Sequence, residues 1–427
     1  MAKTIILGGG IAGLSLASFL EGETVVLERE PDVGGLSRSF QLDGVSYDIG
    51  PHIIFSKNKE VLDLHTEMIP TNQVRRSNQI FYKGVYVKYP FENDLSKLPK
   101  EDRDYCLQEF LENPYEDYSP TNMLQFFLKT FGEGITHLYL QPYNQKIWKF
   151  DPACLDLQMV ERIPKPPKED VIASANGVET EGYLHQLYFH YPAEGGFQSL
   201  VNAYAEKAKA KGDVRSGVNV KSIEGGPGKW RIGTPDGEIT GDSLISCIPL
   251  HELFKYLTPP PEIAQTVSKL KYNSIHIVAI HVRKDHIGNH FAIYFPDQET
   301  IFHRLSKLNF LGESYCNKDG GSTLLAEVTF RPESYLAGIS VEEIERQVLE
   351  GLEKMGMIEL ADLVSIETRT FKYAYVIYDL EHRKNADATL NYLKGIGIRC
   401  AGRFAQFEYF NTDAVVESTL KLARELN

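Results

Sequence analysis

The chain of 427 residues lacks any apolar run long enough to cross a lipid bilayer. A transmembrane helix needs about 20 predominantly apolar residues in sequence. The N-terminal letters "MAKTII" lead straight into a strand and carry no basic region followed by a long apolar region, so we expect no secretory signal. These absences predict a soluble protein with no membrane span, located in the cytoplasm.

Cysteine is scarce and scattered. Five cysteines stand far apart, at positions 106, 154, 247, 316 and 400. Their odd number and irregular spacing argue against a disulfide framework and against a zinc motif. We therefore expect reduced thiols and no metal site.

Positive charge is also in short supply. The sequence has 45 Lys and Arg against 58 Asp and Glu, which gives a formal net charge of -13. No basic stripe offsets this excess, so a nucleic-acid partner is not expected. An anionic substrate would need a few well-placed arginines to overcome the overall field. The length predicts two or three subdomains rather than one core.

A glycine-rich turn opens the chain. The strand "TIIL" ends at Gly8, which begins a G-x-G-x-x-G pattern with Gly10 and Gly13, and the next strand "ETVVLE" ends at Glu28. Gly8 permits a tight turn, Gly10 lets a pyrophosphate approach the backbone, and Gly13 lets the helix pack close to the strand. The helix N-terminus and the acid would hold phosphates and a ribose. The pattern predicts a dinucleotide site.

The segment "PDVGGLSRSF" separates FAD from NAD as the bound dinucleotide. It supplies a second backbone-rich contact at Gly34 and Gly35, followed by Ser37 and Arg38, and "YDIGPHIIF" comes next. This order resembles the FAD-binding signature of the amine oxidase and protoporphyrinogen oxidase superfamily, which implies tightly held FAD. A nicotinamide dehydrogenase would not need this segment. The alternative for Arg38 is a solvated surface arginine.

The chain end is predicted to return to the cofactor. "IGIRCAG" reads as a strand entering a glycine turn, and "NTDAVVESTLKLARE" as a capped amphipathic helix. A hairpin segment after residue 214 resembles the cover of the adenosine end, with Val220 as backbone contact. The predicted cofactor-binding residues are Gly8, Gly10, Ile11, Ala12, Gly13, Glu28, Arg29, Gly34, Gly35, Leu36, Ser37, Gly50, Pro51, His52, Val220, Gly402, Arg403, Asn411, Thr412 and Asp413.

The predicted fold class is α/β, with a discontinuous Rossmann-like FAD-binding domain. We expect that domain to comprise residues 1–94, 195–268 and 381–427. Residues 95–194 are rich in helical and aromatic patterns and predict a helical subdomain. Residues 269–380 alternate as strands, which predicts an antiparallel sheet that forms the floor of a substrate site.

Six segments in order resemble the UDP-galactopyranose mutase family, nearer its eukaryotic type. They are "GPHIIFSKNKEVLD", "KYPFENDLSKLP", "YNQKIWKFDP…VERIPKPP", "FHYPAEGGFQSLVNAYA", "AIYFPDQETIFHRLSKLNF" and "GRFAQFEYFNTD". The resemblance implies interconversion of pyranose and furanose forms of a UDP-bound galactose without net redox. It implies that N5 of reduced FAD attacks the anomeric carbon. NAD(P)H would be a transient reductant.

The resemblance also implies a diphosphate clamp. Arg162 in "VERIP" and Arg304 in "FHRLS" match the family's diphosphate-binding positions, and a guanidinium fork suits phosphate oxygens. Tyr294, Tyr375 and Tyr409 match neutral hydrogen-bond donors to the same group. The alternatives are structural salt bridges for the arginines and core packing for the tyrosines. Because Arg304 lies in an apolar strand, an unpaired charge there would be costly, which favours a ligand as its partner.

Further site residues follow from the same resemblance. His52 matches the histidine beside the flavin ring, with a structural histidine as the alternative. Asn411 and Asp413 match a flavin-side helix start, where N-capping is the alternative. Phe91 and Asn93 fall where the family contacts the nucleotide base. Trp148 and Gln186 complete the predicted substrate residues.

The chain departs from the family at two places that concern the base and the sugar. Gln186 stands nearest to the family's sugar-side asparagine, and Glu92 replaces the glutamine that follows "YPF". A related sugar nucleotide is therefore open as substrate. Two other functions are open as well: a flavin oxidoreductase of the amine oxidase or protoporphyrinogen oxidase type, and a flavin-binding protein without catalysis. The sequence predicts no oligomeric state.

Overall fold

The computed structural model describes residues 3–160, 163, 166–181 and 187–427. The strands of these residues are β1 Lys3–Leu7, β2 Glu23–Leu27, β3 Ser39–Leu42, β4 Val45–Asp48, β5 Thr71–Arg75, β6 Asn78–Tyr82, β7 Val85–Lys88, β8 Tyr188–Pro192, β9 Gly212–Arg215, β10 Ser222–Glu224, β11 Trp230–Thr234, β12 Gly237–Gly241, β13 Ser243–Ser246, β14 Lys271–Val282, β15 Ala292–Tyr294, β16 Arg304–Lys307, β17 Ser322–Phe330, β18 Leu363–Ile377 and β19 Ile398–Cys400. The helices are α1 Ile11–Phe19, α2 Lys59–Met68, α3 Lys100–Leu111, α4 Met123–Ile135, α5 Gln141–Trp148, α6 Lys168–Ala175, α7 Gln198–Lys209, α8 Leu250–Leu253, α9 Pro261–Lys269, α10 Val341–Lys354, α11 His382–Gly395, α12 Arg403–Gln406 and α13 Thr412–Leu426. Searched over the same ranges, the chain shows no helix of the length and apolarity that a membrane crossing requires.

The first sheet is parallel and carries the opening glycine turn. Its five strands lie in the order β19-β13-β1-β2-β9, so three separate pieces of the chain build it. β1 and β2 are continuous apolar runs because both faces of a parallel sheet are covered. Helices α7 and α13 pack against α1, which follows β1.

The second sheet has seven strands in the order β18-β14-β17-β16-β15-β6-β7. Its long central strands β14 and β17 are almost entirely buried, and α10 covers part of one face. β6 and β7 belong to this sheet, whereas the sequence placed residues 1–94 in the FAD-binding domain. The reason is that β6 pairs with β15, more than 200 positions away in the chain, and buries Ile80 and Val87.

Helices α3 to α6 form the helical subdomain. Phe127, Phe131 and Ile135 on α4 are fully buried and form its core. After α4, a π-helical turn, Thr136–Leu140, leads into α5. Asn273 of β14 donates a hydrogen bond of 2.6 Å to the carbonyl of Trp148, so the end of α5 is fixed to the second sheet.

Candidate active site

The opening turn is closely packed, and a side chain at Gly13 within it or at Gly402 of the C-terminal turn would clash with it. A Cβ on Gly13 would stand 2.0 Å from the carbonyl oxygen of Gly8. Gly402 has φ of 102°, and its Cβ would stand 2.7 Å from that of Ala12. In contrast, the nearest atom to a Cβ on Gly10 is 3.8 Å away. That atom is Cα of Gly35, so the second glycine turn lies in ordinary contact with the N-terminus of α1, whose first N–H groups, including that of Ile11, are donors of the kind that bind phosphate.

Glu28 is held at the end of β2 by backbone donors. Its Oε2 accepts from the Gly9 N–H at 2.7 Å, and its Oε1 accepts from the Glu30 N–H at 2.8 Å. The Val218 N–H donates to the Glu28 carbonyl at 2.8 Å, which brings the loop containing Val220 to this strand end. The carboxylate keeps acceptor capacity for ribose hydroxyls.

The second glycine pair lies against the first turn. The Gly34 N–H donates to the Gly9 carbonyl at 2.8 Å, and a Cβ on Gly35 would stand 3.3 Å from Cα of Gly10. Leu36 and Ser37 continue as a 3₁₀ turn. These glycines bring two turns of backbone without side chains against each other, and a groove of such backbone is what a dinucleotide requires.

Two predicted arginines near this groove have protein partners. Arg38 Nε donates to the Gly35 carbonyl at 3.1 Å. Arg29 is exposed and pairs with the adjacent Glu30 at 3.2 Å. Arg38 thus braces the second glycine turn, and Arg29 has the setting of a solvated ion pair.

The segment Gly50, Pro51, His52 follows β4 and depends on a buried carboxylate. Asp48 is 1% exposed and accepts from the hydroxyls of Ser39 and Tyr191 at 2.6 and 2.7 Å. His52 Nδ1 lies 3.8 Å from Asp48 Oδ2, and this buried nitrogen has no hydrogen-bond partner among the residues that the structure describes. An orphaned nitrogen of this kind fits a polar ligand such as the flavin ring.

The C-terminal turn fixes Tyr409 through Arg403. Arg403 Nε donates to the Phe410 carbonyl at 2.7 Å and Nη1 donates to the Ala374 carbonyl at 3.1 Å. The guanidinium lies 5.1 Å from the Tyr409 ring centre. α13 begins just beyond, at Thr412, with Asn411 as N-cap residue and Asp413 in its first turn. The C-terminal turn contacts the N-terminal part of α1, since a Cβ on Gly402 would stand 2.7 Å from that of Ala12.

The second sheet brings three polar residues into one row. Tyr294 pairs in register with Arg304, and Arg304 pairs with Glu327, so all three side chains share a face. Arg304 Nε donates to Glu327 Oε1 at 2.5 Å and Nη2 donates to Oε2 at 2.7 Å. Burial acts to lower the pKa of Arg304, but the Glu327 charge outweighs it and raises that pKa well above its usual value. A Cβ on Gly50 would stand 3.2 Å from Glu327 Oε2, so the predicted flavin loop adjoins this pair.

A cavity of about 510 Å³ opens beside this row. Trp148, Tyr294, Arg304 and Tyr409, four of the predicted substrate residues, line it. Tyr375 packs behind them, with its ring centre 5.6 Å from Trp148 and 5.9 Å from Tyr409. The other lining residues are Tyr89, Pro90, Glu92, Phe131, Tyr139, Leu140, Tyr143, Asn144, Gln158, Met159, Ile163, Tyr378, Arg383, Glu408 and Phe410.

Three predicted substrate residues that the structure describes, Phe91, Asn93 and Tyr375, are not lining residues of this cavity. Phe91 and Asn93 are buried and are not lining residues, whereas Glu92 between them is. Arg162 and Gln186 lie outside the residues that the structure describes. For the clamp, the described part of the chain therefore provides Arg304, and Ile163 of the cavity wall is the immediate neighbour of Arg162 in sequence.

Sequence reasoning missed a polar network at the cavity wall. Arg383 Nη1 donates to Glu408 at 2.6 Å and Nη2 donates to Gln158 at 2.7 Å. The Tyr378 hydroxyl donates to Glu408 at 2.5 Å and accepts from the Tyr409 N–H at 2.6 Å. The network fixes the backbone of Tyr409. No spacing signal links Arg383 on α11 to Glu408, because the fold alone brings them together.

Comparison with solved structures supports the same architecture. A crystal structure of reduced UDP-galactopyranose mutase matches with a TM-score of 0.90 and 24% sequence identity, over 100% of this chain and 95% of that chain. A protein from Exiguobacterium, provisionally named a protoporphyrinogen oxidase, matches with a TM-score of 0.76 and 16% identity, over 100% of this chain and 98% of that one. These likenesses confirm the predicted fold class.

Sequence comparison establishes the family. An uncharacterised protein encoded in the nifH2 3′ region of Methanothermococcus thermolithotrophicus is 43% identical over 58 residues; this match covers 13% of the present chain and 57% of that protein. The family described as flavin-containing amine oxidoreductase matches residues 11–384. The predicted superfamily is confirmed, and the chain belongs to the flavin-containing amine oxidoreductase family.

Proposed function

We propose that this protein is an FAD-dependent sugar-nucleotide mutase that interconverts UDP-galactopyranose and UDP-galactofuranose without net redox. The observation that carries the proposal is the fixed Arg304 fork beside the Gly50 loop, facing a cavity with tyrosine hydroxyls. The similarity in fold to a UDP-galactopyranose mutase along the whole chain supports it. An amine oxidase acting on an apolar substrate has no need of such a fork.

FAD fits the groove described above, and when bound and reduced it supplies the nucleophile for the sugar. Glu28 and the N-terminus of α1 would hold its ribose and pyrophosphate, and His52 would hydrogen-bond its ring through Nδ1. NAD(P)H is the proposed reductant. The product would enter glycan assembly.

Arg304 and Tyr294 would hold the nucleotide diphosphate while it is detached from the sugar. Arg304 donates to Glu327 through Nε and through one N–H of Nη2, which fixes the orientation of the guanidinium. Its Nη1 would then be left to donate to phosphate oxygens. Asn78 Nδ2 donates to the Tyr294 hydroxyl at 3.0 Å, which leaves the Tyr294 proton to donate to the ligand. Arg162 is the proposed second arm of the clamp, and Gln186 a proposed sugar contact.

A flavin oxidoreductase is the second candidate. The apolar part of the cavity wall favours it, because Phe131, Leu140, Met159 and Phe410 would suit an apolar substrate. The family includes oxidoreductase chemistry by its description. In that case Glu28 and the N-terminus of α1 would hold FAD in the same groove, the bound cofactor would supply redox chemistry, and the Arg304 fork would be structural.

One experiment separates the two candidates. The holoprotein is reduced anaerobically, UDP-galactose or UDP-galactofuranose is added, and the nucleotide sugars are separated by chromatography while the flavin spectrum is recorded. The mutase proposal expects isomerisation while the flavin stays reduced over many turnovers. Stoichiometric bleaching of oxidised flavin by a substrate, without isomerisation by the reduced protein, would establish the oxidoreductase instead.

Matched arginine variants test the role of the fork. Arg304→Lys keeps the charge but loses the bidentate geometry, so isomerisation should fall sharply. Arg346 on α10 is also paired with glutamates, but it is exposed and is not a lining residue of the cavity. Arg346→Lys should therefore leave the rate unchanged. Equal rates for all three proteins would contradict the proposal.

A further inference from the structure

Strand β18 forms one edge of the second sheet, and its outer side has no partner strand among the described residues. It runs for 15 residues, and β14 pairs with its inner side from Ile377 back to Leu363. In an antiparallel ladder, alternate residues point their N–H and C=O groups to the outer side. Apart from the ladder with β14, no hydrogen bond within the described chain reaches the backbone of residues 364–371. The outward groups of this stretch are therefore open to another strand.

The open stretch of β18 has a strong strand sequence. The letters "VSIETRTFK" of residues 364–372 include four β-branched residues and neither proline nor glycine. None of residues 363–373 is buried, whereas ten of the 12 residues of β14 are. Proteins usually interrupt such an edge with proline, a bulge or charged side chains. The register irregularities of this ladder lie near its two ends, and the charges in its middle are of both signs.

Those central charges are Glu367 and Arg369, which share one face of the strand, with Thr368 between them on the other face. The Tyr47 hydroxyl donates to Glu367 Oε2 at 2.9 Å and accepts from Arg369 Nε at 3.0 Å. Thr368 Oγ1 donates to Glu345 of α10 at 2.8 Å. Glu367 and Arg369 also pair with each other, and their side chains remain 28% and 40% exposed. The edge thus presents two charges of opposite sign in fixed positions.

The order Glu367, Thr368, Arg369 is complementary to its own reverse. When a second copy of β18 pairs antiparallel about a two-fold axis through Thr368, Glu367 lies opposite the partner's Arg369, and Thr368 lies opposite the partner's Thr368. Opposite charges and threonine pairs directly across two strands favour pairing. Moving the axis by one residue places Glu367 opposite the partner's Glu367, or Arg369 opposite the partner's Arg369. Such like-charge pairs disfavour the neighbouring registers.

We propose that β18 is a self-association surface, where two copies of this chain pair their edge strands antiparallel about Thr368 and join their second sheets into one. The pairing supplies partners to the outward backbone groups. A two-fold contact uses the same surface on both copies, so association stops at the dimer. One strand pair with its flanking side chains is a small interface, so the dissociation constant should lie on the order of 10 µM. The proposal does not depend on the reaction proposed above.

Sedimentation velocity of the FAD-loaded protein tests the proposal over a concentration series from about 1 to about 100 µM. The wild type should change from monomer to dimer, without larger species. Glu367→Arg places like charges opposite each other in the paired strands, so the dimer should weaken by at least about tenfold. The exchange Glu367→Arg with Arg369→Glu restores opposite charges across the axis and should recover most of the dimer. Flavin content and melting temperature show whether each variant keeps its fold.

Disulfide cross-linking tests the register without altering these charges. Thr368→Cys places two thiols opposite each other on the axis, at the spacing of a cross-strand pair, so mild oxidation should yield a covalent dimer. Val364→Cys is the matched control, because Val364 lies on the same strand face, is 42% exposed and would stand opposite the partner's Lys372. The exposed Cys154 and Cys316 set the background in the wild type.

Four outcomes would overturn the proposal. They are a wild type that stays monomeric at about 100 µM, a dimer that is as tight in Glu367→Arg, a folded exchange variant that stays monomeric, and equal cross-linking at positions 364 and 368. Where the exchange variant does not fold, the comparison of the two cysteine variants decides, because it leaves Glu367 and Arg369 in place.

Discussion

Replacing Arg304 by alanine should damage stability and ligand binding through different atoms. Glu327 is fully buried, and both of its oxygens accept hydrogen bonds from the Arg304 fork. Removing one partner of a buried ion pair leaves an uncompensated charge, which typically costs about 3–5 kcal/mol. Arg304→Ala should therefore lose stability on that scale, and it should also weaken UDP binding by roughly 2–4 kcal/mol.

The double variant Arg304→Met with Glu327→Leu separates the two effects. It removes both charges and keeps apolar volume, so it should recover most of the stability that either single variant loses. It should not recover UDP binding, because the phosphate donors are absent. Urea unfolding followed by fluorescence measures the first quantity, and calorimetry with UDP measures the second.

The loss in Arg304→Ala should depend on pH. A buried charge without a partner is costly, and acid conditions neutralise carboxylates in general. His303 Nε2 lies 3.9 Å from Glu327 Oε2, and Arg304 contributes after burial to the lowering of the His303 pKa. The stability deficit should thus be smaller at acidic pH than at alkaline pH. A deficit under about 1 kcal/mol at alkaline pH, or UDP affinity unchanged in the alanine variant, would refute the reasoning.

Three further predictions concern other buried groups. Gly13→Ala should abolish FAD retention, measured as flavin absorbance per protein, because its Cβ would stand 2.0 Å from the Gly8 oxygen. Burial lowers the pKa of His65 to about 4, so the stability that its neutral form provides is complete above about pH 6.5 and is lost as the pH falls toward 4. In His65→Leu, the free energy of unfolding measured with urea should therefore lose about 3 kcal/mol less on acidification than in the wild type. The same pH profile in both proteins would contradict this. Burial raises the pKa of Glu92 to about 7, so the stability that its neutral form provides is complete below about pH 4.5 and is lost as the pH rises to about 7. Above about pH 7, Glu92→Gln should be more stable than the wild type by up to roughly 3 kcal/mol. Equal melting temperatures of the two proteins at about pH 8 would argue against this.

Much of the first domain could be predicted because its signals are local. The spacing of Gly8, Gly10 and Gly13 and the acid at Glu28 lie within one β-α-β unit, so the chain encodes them side by side. The boundary at residue 94 could not be placed, because the pairing of β6 with β15 is non-local. Hydrophobic alternation identifies a strand but does not identify its neighbour.

The candidate site was predicted in part for a similar reason. Arg304 stood out as a charge in an apolar strand, which favoured a ligand as its partner, but the structure pairs it with Glu327, the alternative of a structural salt bridge. The partner left its own signal, since Glu327 in "STLLAEVTF" is the acid in an otherwise uncharged strand. Pairing Arg304 with Glu327, the two charged residues in otherwise apolar strands, would have predicted the row of Tyr294, Arg304 and Glu327 from the sequence. Arg383 and Glu408 left no such signal, because each lies in a polar segment.

The charge balance of the cavity sets the kind of attraction that it can offer. The described arginines on its wall, Arg304 and Arg383, are each paired with a glutamate, so the wall is close to neutral. The whole chain carries a net charge of -13, which repels an anion at long range. Recognition of a diphosphate by the described part of the wall must then come from oriented N–H and O–H donors at contact distance, with Arg162 as the one proposed addition. Such contacts are weakly screened, so UDP affinity should change less than about threefold when the salt concentration rises from about 0.05 to about 0.5 M. A steep loss of affinity with salt would instead show that unpaired cations attract the ligand.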